Sequence, residues 1–240
     1  SFPNMGKINI VIPTYNERSN ISEVIDKIFA LGLDDLGVLV VDDNSPDGTA
    51  EVVKELSQKY PVRLLSRTNK EGLGRAYVAA FRSILSEQNK PDYIIQMDAD
   101  LSHDSKNILD FLAKIGEYDL ILGSRYVKGG GTVNWDRIRK MVSRFGNLYA
   151  QAILGLPYKD LTGGFKCWKR GVLEKINLDS LSSTGYNFQI ETTYKAHKLG
   201  YKIFEVPIIF TERKIGKSKF NLSIIWESFI KVFLLRFRGY

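Results

Sequence analysis

Short, unbroken apolar runs alternate with segments of helical period through the first half of the chain. Residues 7–12, 36–41, 62–65, 93–97 and 119–123 read as strands, and their lack of polar alternation implies a sheet covered on both faces. Residues 16–20 supply capping groups for a helix that carries Ile21, Val24, Ile25 and Ile28 on one side. Further helices are expected from 49 to about 60, from 72 to about 86 and over 105–115. Regularity stops at Gly129-Gly130-Gly131. A helix over 138–154, a loop over 160–165, a helix over 188–199 and a strand over 202–210 follow. The pattern predicts an α/β fold with a mostly parallel, Rossmann-like mixed sheet flanked by helices, and shows no internal repeat.

Open parallel sheets bind ligands beyond the carboxyl ends of their strands, and the polar clusters of this chain fall there. Residues 93–97 run into Asp98-Ala99-Asp100. On an extended backbone, carboxylates two positions apart leave the same face and can converge on one hard cation, with Ala99 leaving room between them. A divalent ion there would bridge carboxylate to diphosphate oxygens. At the other strand ends, Tyr15 offers a flat face for a base, while Glu17 and Asp43 can accept hydrogen bonds from a base edge or ribose. Asp42, Asp43, Asn44 and Asp47 can equally serve only to shape a turn and cap the next helix.

Composition narrows the choice. The 240 residues carry a formal charge of +7 with 44% hydrophobic content, which suits a substantial core and polyanionic partners such as nucleotides or phospholipid surfaces. Cys167, His103 and His197 cannot supply a disulfide framework or a Cys/His zinc cluster. Gly72 and Gly74 lack the third glycine of a dinucleotide fingerprint, and no GxxxxGK[ST] motif occurs. No nucleic-acid recognition motif appears. The chain opens without a secretory signal, the residues before Met5 reading as a short extension, so a cytoplasmic site of action is expected.

Several segments together resemble the GT-A glycosyltransferases of family 2, and within them the dolichyl-phosphate (polyprenyl-phosphate) mannose synthases. They are Ile12-Pro13-Thr14-Tyr15-Asn16-Glu17-Arg18, Val41-Asp42-Asp43-Asn44-Ser45-Pro46-Asp47-Gly48-Thr49, Met97-Asp98-Ala99-Asp100-Leu101-Ser102-His103, Gly123-Ser124-Arg125-Tyr126 and Asp160-Leu161-Thr162-Gly163-Gly164-Phe165. Trp135-Asp136-Arg137-Ile138-Arg139-Lys140 and Glu205-Val206-Pro207, leading into Arg213-Lys214-Ile215-Gly216-Lys217-Ser218-Lys219, resemble the mannose synthase subgroup.

The resemblance implies that Pro13, Tyr15, Glu17 and Asp43 hold the nucleoside, with Val41 among the substrate-binding positions. It places Asp98, Ala99 and Asp100 around the diphosphate and a Mg2+ or Mn2+ ion, with Asp100 the principal ligand, Asp98 a second and Ser102 a weak one. Arg125, Arg139, Arg213 and Lys219 take the roles of phosphate-handling cations, and Asp100, Arg125 and Arg213 are the candidate catalytic residues. The implied reaction moves mannose from GDP-mannose to dolichyl or polyprenyl phosphate with inversion. Such an acceptor brings its own anionic nucleophile, so no strong general base is needed, and His103 is expected to be structural. UDP-glucose or another nucleotide sugar as donor, and a non-catalytic nucleotide- or lipid-binding module, remain open alternatives.

Residues 220–237 place Leu222, Ile225, Trp226, Phe229, Val232 and Phe233 at near-helical spacing among charged residues. This reads as an interfacial helix at the cytoplasmic face of a membrane, too short and charged to span it. A helix packed on its own domain or forming an oligomer contact is the alternative. The implied organisation is a catalytic domain over 1–219 and a membrane-proximal helix over 220–240, with transmembrane segments expected beyond it or on a partner subunit.

Overall fold

Parallel neighbours and helical cover explain why the first strands read as unbroken apolar runs. The computed structural model describes residues 6–181, 183, 185–212 and 222–237, with backbone alone over 222–227. Strands β1 (Ile8–Thr14), β2 (Leu36–Asp42), β3 (Val62–Ser66), β4 (Tyr93–Gln96), β5 (Leu120–Ser124), β7 (Lys166–Lys169) and β8 (Ile203–Pro207) form one sheet in the order β3-β2-β1-β4-β7-β5-β8. Strands β1 to β4 pair in parallel. One face is closed by Ile10, Ile12, Val38, Val40 and Ile95 with the apolar sides of helices α1 (Ile21–Phe29) and α4 (Asn107–Ile115). The other joins Val11, Leu39, Val41 and Ile94 to Tyr77 and Phe81 of helix α3 (Leu73–Leu85) and to Phe188. Each such aliphatic side chain contributes on the order of 1.5–3 kcal/mol by leaving water.

Two expectations change. The strand β7, which no expected element covered, enters antiparallel between β4 and β5. Its sequence Lys-Cys-Trp-Lys is short and carries a lysine at each end, so it lacks both the length and the apolar continuity that mark a central strand. The run expected as one strand over 202–210 divides at Ile208. Residues up to Pro207 pair with β5, whereas β9 (Ile209–Thr211) pairs with β6 (Gly131–Val133) in a separate ribbon. Ile208 joins the two through its N–H to the Ser124 carbonyl and its own carbonyl to the Gly131 N–H.

Capping also differs in detail. Asn20 makes no side-chain cap on α1; its carboxamide donates to Glu17 Oε2 at 2.9 Å. Helix α2 (Thr49–Leu56) ends before the expected residue 60, and Asp47 Oδ1 accepts from the Thr49 N–H at 3.0 Å at its start.

The second half adds α5 (Arg137–Leu154), the short α6 (Arg170–Lys175), a 3-10 turn (Leu178–Ser180), α7 (Tyr186–Lys198) and α8 (Leu222–Phe237). Helix α8 packs on α5 and α7: Val232 and Leu235 are buried with Ala150, Leu154, Ile190 and Tyr194. The Tyr149 hydroxyl donates to the Phe229 carbonyl at 3.1 Å, and Asn187 Nδ2 reaches Ser228 Oγ at 3.2 Å. The single interfacial face expected of this helix is therefore divided, with Val232 turned into the protein and Ile230, Phe233, Leu234 and Phe237 exposed.

Candidate active site

The carboxyl ends of β1, β2 and β4 lie side by side, because Thr14 is in register with Asp42 and Val11 with Gln96. After Gln96 the chain leaves the extended conformation. The Met97 N–H still reaches the Val11 carbonyl, but Leu101 then takes a left-handed φ of 62°. Asp98 and Asp100 thus sit in a tight turn, and their approach is set by that turn rather than by strand alternation as expected. Asp100 is buried, and its Oδ1 accepts from the Ser102 N–H at 3.1 Å and from the Ser102 hydroxyl. Ser102 therefore holds the Asp100 carboxylate in this structure, a different use from the weak metal ligand expected of it. The Asp98 side chain keeps 32% of its exposure, and Ala99 between them is buried.

His103 lies beneath the pair. Its ring stacks on Phe165 at 4.7 Å and meets the edge of Phe210 at 5.4 Å. Nδ1 accepts from the Asp98 N–H at 3.3 Å, which fixes the tautomer with the proton on Nε2. Burial pushes the imidazole down to about 4, against the opposing pull of Asp100. The ring is neutral at physiological pH, and the 3.9 Å from Nε2 to Asp98 Oδ2 is neither an ion pair nor a hydrogen bond. His103 supports the turn, in keeping with the structural role expected of it.

At the nucleoside end, Tyr15 is 38% exposed and Lys70 Nζ stands 3.3 Å above its ring centroid. Pro13 is in register with the buried Val41. The Glu17 N–H donates to Thr49 Oγ1 at 3.1 Å, locking the loop after β1 onto α2. Asp42 takes the turn-shaping role, accepting from Thr14 Oγ1 at 2.8 Å and from the Ser45 N–H at 2.9 Å. Asp43 does something else: it is ion-paired with Arg67 Nη1 at 2.6 Å, and Arg67 also bonds Glu71. Arg67 and Lys70 escaped the sequence reading. The signal available was a polar, basic stretch after β3, the strand end next to β2.

The expected phosphate cations fare unequally. Arg125, at the end of β5, is buried and committed to Asp160. Its N–H and Nε donate to Asp160 Oδ2 at 2.9 and 2.7 Å, and Nη2 donates to Asp160 Oδ1 at 2.7 Å and Thr162 Oγ1 at 2.8 Å. Burial disfavours its charge, but the Asp160 carboxylate outweighs that and raises the guanidinium above its ordinary value. The contacts of Arg125 in this structure are those of a clamp on the 160–165 loop. Asn147 of α5 completes the clamp, its Oδ1 accepting from the N–H groups of Leu161 and Thr162 at 2.7 and 3.2 Å. Arg139 is bonded to Glu212 and lies 4.2 Å over the Trp135 ring. Arg213 and Lys219 lie outside the described residues.

Helix α5 also carries an apolar surface the sequence reading did not isolate. Ile138, Met141, Phe145 and Leu148 recur at helical spacing and are 54–66% exposed, alongside Arg137, Lys140 and Arg144. Phe145 and Tyr149 meet Phe229 edge-on at 5.8 and 4.6 Å, joining this surface to the exposed side of α8. Among the described residues, no helix is long and apolar enough to cross a membrane.

The Glycosyl transferase family 2 model matches residues 9–177. Over 227 residues, the chain is 40% identical to the undecaprenyl-phosphate mannosyltransferase of Micrococcus luteus, covering 94% of this chain and 92% of that protein. It is also 40% identical to the polyprenol monophosphomannose synthase of Mycolicibacterium smegmatis over 233 residues, 96% of this chain and 87% of that one. Among solved structures, glucosyl-3-phosphoglycerate synthase from Mycobacterium tuberculosis, in complex with Mn2+, UDP and glucosyl-3-phosphoglycerate, aligns with a TM-score of 0.65 at 19% identity, covering 96% of this chain and 78% of that one. A Pyrobaculum calidifontis mannosyltransferase in complex with GDP-Man and Mn2+ aligns with a TM-score of 0.61 at 19% identity, and the match spans 89% of this chain but 58% of that structure. With its strand-end acids, mixed sheet and matching sequence, the chain belongs to glycosyl transferase family 2 and is a glycosyltransferase.

Proposed function

We propose that this enzyme transfers mannose from GDP-mannose to a polyprenyl phosphate at a membrane surface, with inversion at the anomeric carbon. The observation that carries the reading is an adjacency. Helix α5 both braces the 160–165 loop through Asn147 and displays the exposed apolar and basic face. A site built on that helix can take a water-soluble donor from one side and the phosphate of a bilayer-anchored lipid from the other. The names of the two relatives, each 40% identical, support the same substrates.

A divalent cation fits the turn after β4. Asp98 and Asp100 present hard carboxylate oxygens, and no group of at least three His, Cys, Asp or Glu side chains is assembled there among the described residues. That donor set suits Mg2+ or Mn2+ held by one or two carboxylates, with substrate phosphate and water completing the shell. When bound, the ion would neutralise charge on the departing nucleoside diphosphate.

The chain's own groups account for the rest. Tyr15 presents its ring to the base, and Asp43, held by Arg67, faces the nucleoside. Arg139, Arg213 and Lys219 offset the charge where two anions meet. The acceptor phosphate is already an anionic nucleophile, so the neutral, buried His103 is not required as a base. The reaction breaks the bond between the anomeric carbon and the diphosphate oxygen while the lipid phosphate oxygen attacks from the opposite face. The decisive experiment incubates the protein with radiolabelled GDP-mannose and polyprenyl phosphate, with and without Mn2+, and scores label in the organic phase. Transfer from UDP-glucose in preference, or no transfer from either donor, would overturn the reading.

A further inference from the structure

Opposite the Asp98 turn, Gln189 of α7 is 1% exposed, and neither its Nε2 nor its Oε1 has a hydrogen-bond partner. A buried carboxamide with both ends unpaired is costly, and the backbone around it is far from slack. The Gln189 carbonyl accepts from Lys166 Nζ at 2.7 Å and from Thr193 Oγ1 at 3.0 Å. The side chain is thus held in place by a backbone satisfied on its own account, while its polar end is buried without a partner.

That end meets Asp98 across Gly164. A Cβ placed on Gly164 would stand 3.5 Å from Gln189 Nε2, 3.6 Å from Asp98 Oδ1 and 3.8 Å from Asp98 Oδ2. The absence of a side chain at Gly164 leaves the buried carboxamide and the partly exposed Asp98 carboxylate flanking the same one-atom space. A donor N–H facing an acceptor carboxylate calls for an occupant that both accepts and donates, which a hydroxyl group does. A bare phosphate oxygen would be repelled by Asp98 on this side, and the divalent ion that Asp98 helps to hold on its exposed side would not satisfy the amide N–H.

We propose that Gln189 and Asp98 together hold a hydroxyl of the hexose being transferred, making Gln189 a residue that determines sugar specificity. The hydroxyl oxygen accepts a hydrogen bond from Nε2 and its O–H donates one to the Asp98 carboxylate, while Oε1 can accept from a neighbouring hydroxyl. This deepens the proposed function and rests on its being a nucleotide-sugar enzyme.

The test is calorimetric, so it does not need turnover. GDP-mannose and GDP are titrated in parallel, in the presence of Mn2+, into the wild type, Gln189→Leu and Gly164→Ala. The second variant fills that space at ordinary contact distances, so the fold accepts it. UDP-glucose and UDP are run beside them, so that a mistaken donor is recognised separately from a mistaken role for Gln189. The wild-type ratio of nucleotide-sugar to nucleotide affinity is the reference margin, and loss of the paired hydroxyl should lower it at least roughly tenfold. Both variants should lose that margin while keeping nucleotide affinity. Retention of the margin in Gln189→Leu, or an equal loss of nucleotide and nucleotide-sugar binding in both variants, would overturn the assignment; the latter would show Gln189 to be an internal support only. Deoxy donors then identify the hydroxyl: the analogue that the wild type rejects should be used by Gln189→Leu as well as the parent sugar.

Discussion

Arg125 and Asp160 form a two-pronged ion pair buried between the end of β5 and the loop that follows α5, with side chains 6% and 0% exposed. Removing one partner strands the other charge in a site that water does not reach. Asp160→Asn should therefore cost about 3–5 kcal/mol of folding stability, measured by urea denaturation. Arg125→Lys should fail to restore the wild-type value, since an ammonium cannot reproduce the fork. If either variant denatured like the wild type, the clamp would be only a surface contact.

Asp100→Asn removes the charge of the buried carboxylate while Ser102 can still donate to the oxygen that remains. Transfer of mannose should drop by about 10²–10³-fold, with the melting temperature near that of the wild type. Mn2+ titrated against activity should show the loss at every metal concentration, and a chelator should bring the wild type down to the same level. A variant that keeps full, chelator-sensitive transfer would remove Asp100 from the metal site.

How far the sequence disclosed this site depends on which force built each part. The apolar runs at Ile8, Leu36 and Tyr93 announced β1, β2 and β4 because burial on both faces leaves no other pattern, and the acids beyond them followed. The β7 strand was hidden because Lys166, an apparent surface charge, is buried against Gln189, Thr192 and Thr193, partners more than twenty residues away in the chain. Arg125 was legible as important but not as Asp160's partner, since only folding brings residues 125 and 160 together. Asp43 was read as open to ligand, and nothing local revealed that Arg67 would reach across from the next strand. The apolar face of α5 was present in Ile138, Met141, Phe145 and Leu148, but a sequence cannot say which side of an amphipathic helix the core will claim.

The exposed side of α5 and α8 should bind membranes by both burial and charge. Phe145→Asp combined with Leu234→Asp is expected to abolish cosedimentation with anionic vesicles while leaving GDP affinity unchanged, because neither residue lies in the nucleotide cleft. Neutralising Arg137, Lys140 and Arg144 should weaken binding by about 1 kcal/mol per charge, roughly fivefold each, and more at low than at high salt. Vesicle binding that ignores all these changes would assign membrane contact to another surface.

Lys166 should leave a mark on the pH dependence of stability. Burial pushes its ammonium well below the usual 10.5, and Asp160 only partly opposes this. The unfolded chain holds the proton up to about 10.5, so between the depressed folded value and that point the unfolded state binds more protons at this residue. Stability then rises with pH, by up to about 1.4 kcal/mol per unit within the window. Lys166→Met removes the contribution and leaves no orphaned acceptor, because the Gln189 carbonyl still receives the Thr192 and Thr193 hydroxyls at 3.2 and 3.0 Å. Urea denaturation at steps from pH 7 up to 10 should show the wild type gaining on the variant as pH increases toward 10.5. Parallel curves would mean that Lys166 keeps an ordinary affinity for its proton inside the fold.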